Sequence, residues 1–149
     1  RRELELVQCY MTIQKFRYED RLEYKITVPE DLYSCYVLKL TLQPLVENSI
    51  RYGLEENTEG CFIHILAERS LDVLYVYIKN NGSAFEDQLL EKLKTNQISP
   101  HGFGIGLLNI LQRMQLTYGE EYGLTLYNEN EQAVARLAFP LVRKENGNC

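Results

Sequence analysis

Apolar residues recur along this chain with two periods, and the switches between them mark out its elements. Over residues 3–16, Leu4, Val7 and Met11 repeat at helical spacing with Leu6, Tyr10 and Ile13 beside them, which predicts an opening helix with a wide apolar face. From Leu22 to Val28 the period drops to two. Leu22, Tyr24, Ile26 and Val28 lie on one face and Glu23, Lys25 and Thr27 on the other, the pattern of a half-buried strand that Pro29 ends. A second helix is predicted from about Leu42 to Tyr52, with Pro44 in its first turn and Gly53 as its stop. Two strands follow, CFIHILAE from Cys61 and LYVYIKN from Leu74, joined through Ser70-Leu71-Asp72, before Asn80-Asn81-Gly82 breaks the run. Leu89, Leu90 and Leu93 make a short helix within Glu86 to Thr95. A longer helix spans Ile105 to Tyr118 and stops at Gly119. GLTLYN and AVARLAFPLV close the chain as a hairpin turning at Glu129-Asn130-Glu131, and the polar residues from Arg143 read as a disordered tail. Five strands, mostly in hairpins, and four helices predict an α+β two-layer sandwich. Its mixed, mostly antiparallel sheet carries the helices on one face.

Size and composition agree with a single core. The 149 residues are 45% hydrophobic and 25% charged, enough for one domain that buries roughly two-thirds of its unfolded surface. A formal charge of −5 argues against nucleic-acid binding, which rests on clustered Lys and Arg. No apolar run approaches the roughly 20 residues of a membrane span, and opening on Arg1-Arg2 reads as a piece of a longer protein. Cys9, Cys35, Cys61 and Cys149 stand far apart with no C-x-x-C pair, so reduced thiols are expected and a zinc site is not. His64 sits in an apolar strand pattern and reads as structural; His101 reads as a solvated loop residue beside the glycines.

The chemistry concentrates in two places. In HGFGIGLLNILQRM, residues 101–114, Gly102, Gly104 and Gly106 alternate and run into a helix, a way to cradle an anion on unpaired helix N–H groups. A P-loop is excluded because Leu107 and Leu108 stand where Lys and Ser/Thr are required. A dinucleotide fingerprint is excluded because neither glycine register completes G-x-G-x-x-G and TNQISP is no strand. In the second helix Glu47, Asn48 and Arg51 fall at i, i+1 and i+4, so a carboxylate, an amide and a guanidinium can share one side, with Leu45, Val46, Ser49 and Ile50 inward. Such a set can manage a triphosphate and its Mg²⁺, Asn48 offering oxygen to the metal and Arg51 pairing with phosphate. On these letters alone the plainer reading is a solvated face with an intrahelical ion pair. The functional reading rests on the segments combined.

Three ordered segments, LQPLVENSIRYG, IKNNGSAF and HGFGIGLLNILQRM, resemble the N box and the two glycine boxes of the GHKL, or Bergerat, ATP-binding fold. The chain is most similar to the LytS/YehU-like branch of bacterial sensor histidine kinases, and the likeness extends to its opening segment and closing hairpin. The resemblance implies a lead-in helix over residues 1–20 from an upstream dimerisation and phosphoacceptor region, and an ATP-binding catalytic domain over 21–142. By it Asn48 is the Mg²⁺ ligand and Glu47 its acidic neighbour, with Asn48 and Glu47 the catalytic pair; Arg51 contacts phosphate, and Tyr52 lies near the adenine where the branch usually has His. Asn80 stands at the base-recognition position, followed by Gly82, Ala84 and Phe85 of the first glycine box. Gly102, Gly104 and Gly106 shape the lid and phosphate turn, Ile105, Leu107 and Asn109 begin the helix, and the residues between Phe85 and His101 form the lid. The implied activity is transfer of the ATP γ-phosphoryl group to a His, with a response regulator downstream. The implied setting is the cytoplasmic part of a homodimeric parent anchored in the inner membrane.

Two departures qualify that reading. The family's first glycine box normally reads Asp-x-Gly-x-Gly, but Asn80 replaces its Asp and Ala84 its second Gly, which implies weaker ATP binding and relaxed exclusion of GTP. Neither His64 nor His101 has the helical setting of a phosphoacceptor, so the chain is not expected to phosphorylate itself. A degenerate GHKL module with a regulatory or dimerising role is the alternative, and an ATPase of the same fold the less favoured third.

Overall fold

The computed structural model describes residues 1–56, 59–82, 84–95 and 103–143. The order is α1 (Arg2–Tyr18), β1 (Leu22–Thr27), α2 (Leu42–Glu56), β2 (Cys61–Ser70), β3 (Val73–Asn81), α3 (Leu89–Lys94), α4 (Phe103–Tyr118), β4 (Gly123–Glu129) and β5 (Gln132–Pro140). The strands lie in one sheet in the order β1-β2-β3-β5-β4. Only β1 and β2 pair in parallel, so α2 is the crossover between them; the other neighbours are antiparallel.

Alternation makes the core. Ile63, Ile65 and Ala67 of β2 face the same way as Leu74, Val76 and Ile78 of β3 and Ala135, Leu137 and Phe139 of β5, all buried. The helices cover that face with Leu45, Val46 and Ile50 from α2 and Leu107, Ile110, Leu111 and Met114 from α4. Both hairpin turns fall where the turn residues place them. Leu71 at φ 52 links β2 to β3, and Asn130 and Glu131, at φ 49 and 62, link β4 to β5, a two-residue geometry whose twist matches its strands.

Several expectations change. Gly53 does not stop α2, which continues to Glu56. A Cβ at Gly53 would lie 2.3 Å from Cys61 Sγ, so this glycine lets the helix approach the start of β2. α1 buries Glu3, Val7 and Met11 but leaves Leu6, Ile13 and Phe16 exposed, a narrower inward stripe than its composition suggests. α3 is shorter than the segment 86–95. α4 starts at Phe103, earlier than Ile105. The tail is held at its first residue, where Arg143 bridges Cys35 and its guanidinium reaches Asp31 at 3.4 Å; residues 144–149 lie outside the described residues.

Cys9 is exposed, Cys35 and Cys61 are buried, and all three are free thiols. Burial pushes the Cys61 thiol up to about 11, leaving about one in a thousand ionised near pH 8. A short iodoacetamide pulse at that pH should alkylate Cys9 and spare Cys61, read by peptide mass spectrometry; fast labelling of Cys61 in the folded protein would contradict this packing.

Candidate functional site

The buried row on β3, Leu74, Val76 and Ile78, ends on a polar residue. Asn80, 2% exposed, continues it between Ile63 of β2 and Ala133 of β5. A buried amide is costly without partners. Its Nδ2 donates to the Asn81 carbonyl at 3.1 Å, and the Asn81 side chain accepts from the Phe62 N–H at 2.6 Å, which secures the end of the ladder. Gly82, at φ 80, then turns the chain away, a conformation costly for any residue with a Cβ.

Asn80 lines a cavity of about 210 Å³. α2 supplies Leu45, Asn48, Ser49 and Tyr52; the stretch after the turn supplies Ala84, Phe85 and Glu86; Leu89, Leu107 and Ala135 complete the wall. The volume is below the roughly 300–1,000 Å³ of complete ligand pockets, and suits one ring system with a polar contact at its floor. Asn128 of β4 fixes the turn side, accepting from the Phe85 N–H at 2.8 Å and donating to the Phe85 carbonyl at 2.9 Å. Lys92 of α3 pairs with Glu86.

The expectation that Glu47, Asn48 and Arg51 share one side of α2 needs correction. Asn48 and Tyr52 face the Asn80 cavity, while Glu47 and Arg51 line a second hollow of about 280 Å³ with Tyr10, Gln14, Arg17 and Tyr18 of α1 and Arg21. Successive helical residues differ by about 100° in direction, and α1 packing beside α2 divides them between two spaces. The Glu47 carboxylate accepts from Gln43 Nε2 at 3.1 Å. Burial first, then the Glu47 charge, push the Tyr10 hydroxyl above its ordinary range.

The glycines are also placed differently from a loop. Gly104, Ile105 and Gly106 lie in the first turn of α4, and a Cβ at Gly106 would meet nothing within 4 Å. Leu107 is buried against the cavity, whereas Asn109 is exposed on the helix. Gly102 and His101 lie outside the described residues. His64 stands in β2 with Nε2 3.0 Å from Thr27 Oγ1, a structural contact on the open face of the sheet. Among the described residues no three His, Cys, Asp or Glu side chains gather as a metal cluster.

Sensor histidine kinase YesM of Bacillus subtilis (strain 168) is 41% identical over 130 residues, which cover 87% of this chain. The chain belongs to the LytS/YesM-type sensor histidine kinases. Sensor protein LytS of Oceanobacillus iheyensis is 32% identical over 142 residues, and sensor histidine kinase BtsS of Escherichia coli (strain K12) 27% over 124. The chain spans about a fifth to a quarter of the length of these sensor kinases, 21%, 24% and 20% respectively. No protein-family model matches it. The fold matches the catalytic domain of histidine kinase ThkA in a nucleotide-free form, with a TM-score of 0.70 over 92% of this chain and 91% of that one at 20% identity. Mycobacterial sensor histidine kinase MprB follows the same fold, with a TM-score of 0.61 at 14% identity. Within the LytS/YesM type, Asn128, Ser49, Glu86 and the α1 arginines were not singled out by sequence. Asn128 and Arg17 follow no local motif and take their places only through sheet register and helix packing, whereas Ser49 lies inside the LQPLVENSIRYG segment and Glu86 at the start of the expected lid.

Proposed function

We propose that this domain binds Mg-ATP between α2 and the turn after β3, and presents the γ-phosphoryl group to a His carried elsewhere in its longer parent. The observation that supports this reading is the buried Asn80 amide at the floor of a cavity walled by Asn48 and Tyr52. Asn80 offers one acceptor and one donor to a purine edge, while Tyr52, Phe85 and Leu107 enclose the ring and keep water from that contact. Asn48 offers the hard oxygen that Mg²⁺ prefers, and phosphate oxygens and water suit the remaining positions. Bound there, Mg²⁺ neutralises phosphate charge. The domain's own contribution is positioning: Asn48 at the cavity rim orients the phosphates, and an already nucleophilic His acceptor needs no strong base from Glu47.

The acceptor belongs outside this chain, since His64 is held in a strand by Thr27. ThkA has been seen in complex with the response regulator TrrA, and an equivalent partner fits the parent here. None of the described helices is long and apolar enough to cross a membrane. The parent is proposed to be a homodimer anchored in the inner membrane, with this domain on the cytoplasmic side.

Calorimetry with Mg-ATP tests binding, and Asn80→Asp tests the base contact. A carboxylate adds a charge-assisted bond to the adenine amino group and repels the guanine oxygen, so ATP should tighten by about 1 kcal/mol, several-fold, while GTP weakens. Strong GTP exclusion by the unaltered domain, unchanged in the variant, would sink this account. Asn80 and Ala84 also favour a second reading, a degenerate domain with weak nucleotide binding that acts as a regulatory or dimerising module; absence of heat and of thermal shift at millimolar Mg-ATP would favour it.

A further inference from the structure

One row of residues crosses four strands at the level of Asn80. Register sets Ile63 of β2 against Asn80 of β3, Asn80 against Ala133 of β5, and Ala133 against Asn128 of β4. Residues directly opposite one another share a face, so the Asn128 amide rises on the helix side of the sheet, as Asn80 does. Neighbouring strands stand about 4.8 Å apart, which puts the two asparagines about 10 Å from each other. Between them Ala133, 2% exposed, adds only a methyl group.

Asn128 uses that position to grip a single residue. Its Oδ1 accepts from the Phe85 N–H at 2.8 Å while its Nδ2 donates to the Phe85 carbonyl at 2.9 Å. Phe85 lies in no strand or helix, and both of its backbone polar groups go to this one side chain. An amide carries an acceptor and a donor a fixed distance apart, so it meets the two groups much as a neighbouring strand would. The left-handed turn at Gly82 decides where the chain leaves β3, and the Asn128 bonds decide where it arrives. What they place is a cavity wall: Phe85 packs against the core and lines the space above Asn80, with Ala84 and Glu86 on either side.

We infer that Asn128 is a positioning residue for the base, holding Phe85 as the wall that encloses the ring at a set distance from the Asn80 contact. The inference rests on the nucleotide reading above. Two asparagines of one cross-strand row then divide the task. Asn80 meets the ring edge, and Asn128, which does not line the cavity, acts only through Phe85.

Calorimetry on the whole domain with adenosine and with ATP, each with and without Mg²⁺, tests this. Asn128→Asp keeps the shape and the acceptor for the Phe85 N–H but sets a carboxylate against the Phe85 carbonyl. Adenosine and ATP should both weaken about tenfold, by the same factor with and without Mg²⁺, because the lost order lies at the base. Asn128→Ala, which removes both bonds and adds no charge, should weaken them about three- to tenfold. Asn128 is exposed, so both variants should keep the fold, with amide exchange faster at Phe85 and unchanged in β3 and β5. In the parent protein the KM for ATP should rise while kcat stays within about twofold, the mark of a uniform binding loss. Unchanged adenosine affinity in both variants would overturn the inference and leave the nucleotide reading standing. A loss confined to Mg-ATP would also overturn it, by assigning Asn128 to the phosphate end. Failure of the unaltered domain to bind either ligand would defeat the nucleotide reading and the inference with it.

Discussion

Asn48→Ala should remove most of the Mg²⁺-dependent part of ATP affinity and slow phosphotransfer by the parent protein on the order of 100-fold, with little change in thermal midpoint. Asn48 is half-buried at the rim of the Asn80 cavity rather than packed in the core, so its truncation leaves no large void. What disappears is an α2 side-chain oxygen placed at the cavity to hold a cation beside the phosphates. Lost transition-state charge stabilisation of this kind costs about 3 kcal/mol at a single well-placed group. Adenosine, which carries no phosphate and needs no metal, should bind the variant nearly as well as the original. Measuring both ligands by calorimetry with and without Mg²⁺ isolates the metal contribution. An ATP affinity that keeps its full Mg²⁺ dependence in Asn48→Ala would remove Asn48 from that role.

Gly53→Ala should destabilise the fold although alanine is the better helix former. The substitution gains about 1 kcal/mol of helix propensity. Against this, the new Cβ falls 2.3 Å from Cys61 Sγ, 3.2 Å from Cys61 Cβ and 3.5 Å from the Asn81 carbonyl oxygen. Cys61 is 3% exposed and its Sγ points at the Ser49 carbonyl at 4.0 Å, so neither residue has free space. Overpacking of this severity costs about 3 kcal/mol, leaving a net loss of roughly 2 kcal/mol and a thermal midpoint lower by about 4–8 °C. The clash is mainly with one sulfur atom. In a Cys61→Ala background the same substitution should therefore be close to neutral, a strong non-additivity that a double-mutant cycle detects. Additive effects would mean that α2 does not rest on Cys61. In the single variant, displacement of α2 should also weaken nucleotide binding, since Asn48 and Tyr52 ride on that helix.

Gly53 marks a limit of what local sequence conveys. A glycine after an apolar-periodic stretch signals a helix end, but the same residue also serves close helix-to-strand approach, and only Cys61, eight residues on and in another element, distinguishes the two. The strands were legible because alternation is a property of each segment alone, and both hairpin turns carry their own signals. That β1 joins the sheet beside β2, in parallel, was not, because period-two patterning names a strand without naming its partner. The candidate site divides in the same way. Asn48, Tyr52, Asn80, Ala84, Phe85 and Leu107 come together as the motifs imply, whereas Glu47 and Arg51 turn to α1, whose position beside α2 is a tertiary fact. Asn128 holds Phe85 across 43 residues of chain, and no local pattern announces such a bond.

The parallel pairing of β1 with β2 has a consequence for how the molecule comes into being. During synthesis from the N-terminus, α1, β1 and α2 leave the ribosome before any strand exists to complete the crossover, with Val46 and Ile50 still uncovered. The later strands β3, β4 and β5 are linked antiparallel and can zip up among themselves. The cavity beside Asn48 gains its floor only when β3, which carries Asn80, is paired with both β2 and β5. Ligand-binding competence should therefore arrive in a single late step of biogenesis, with the half-made chain the species in need of a chaperone.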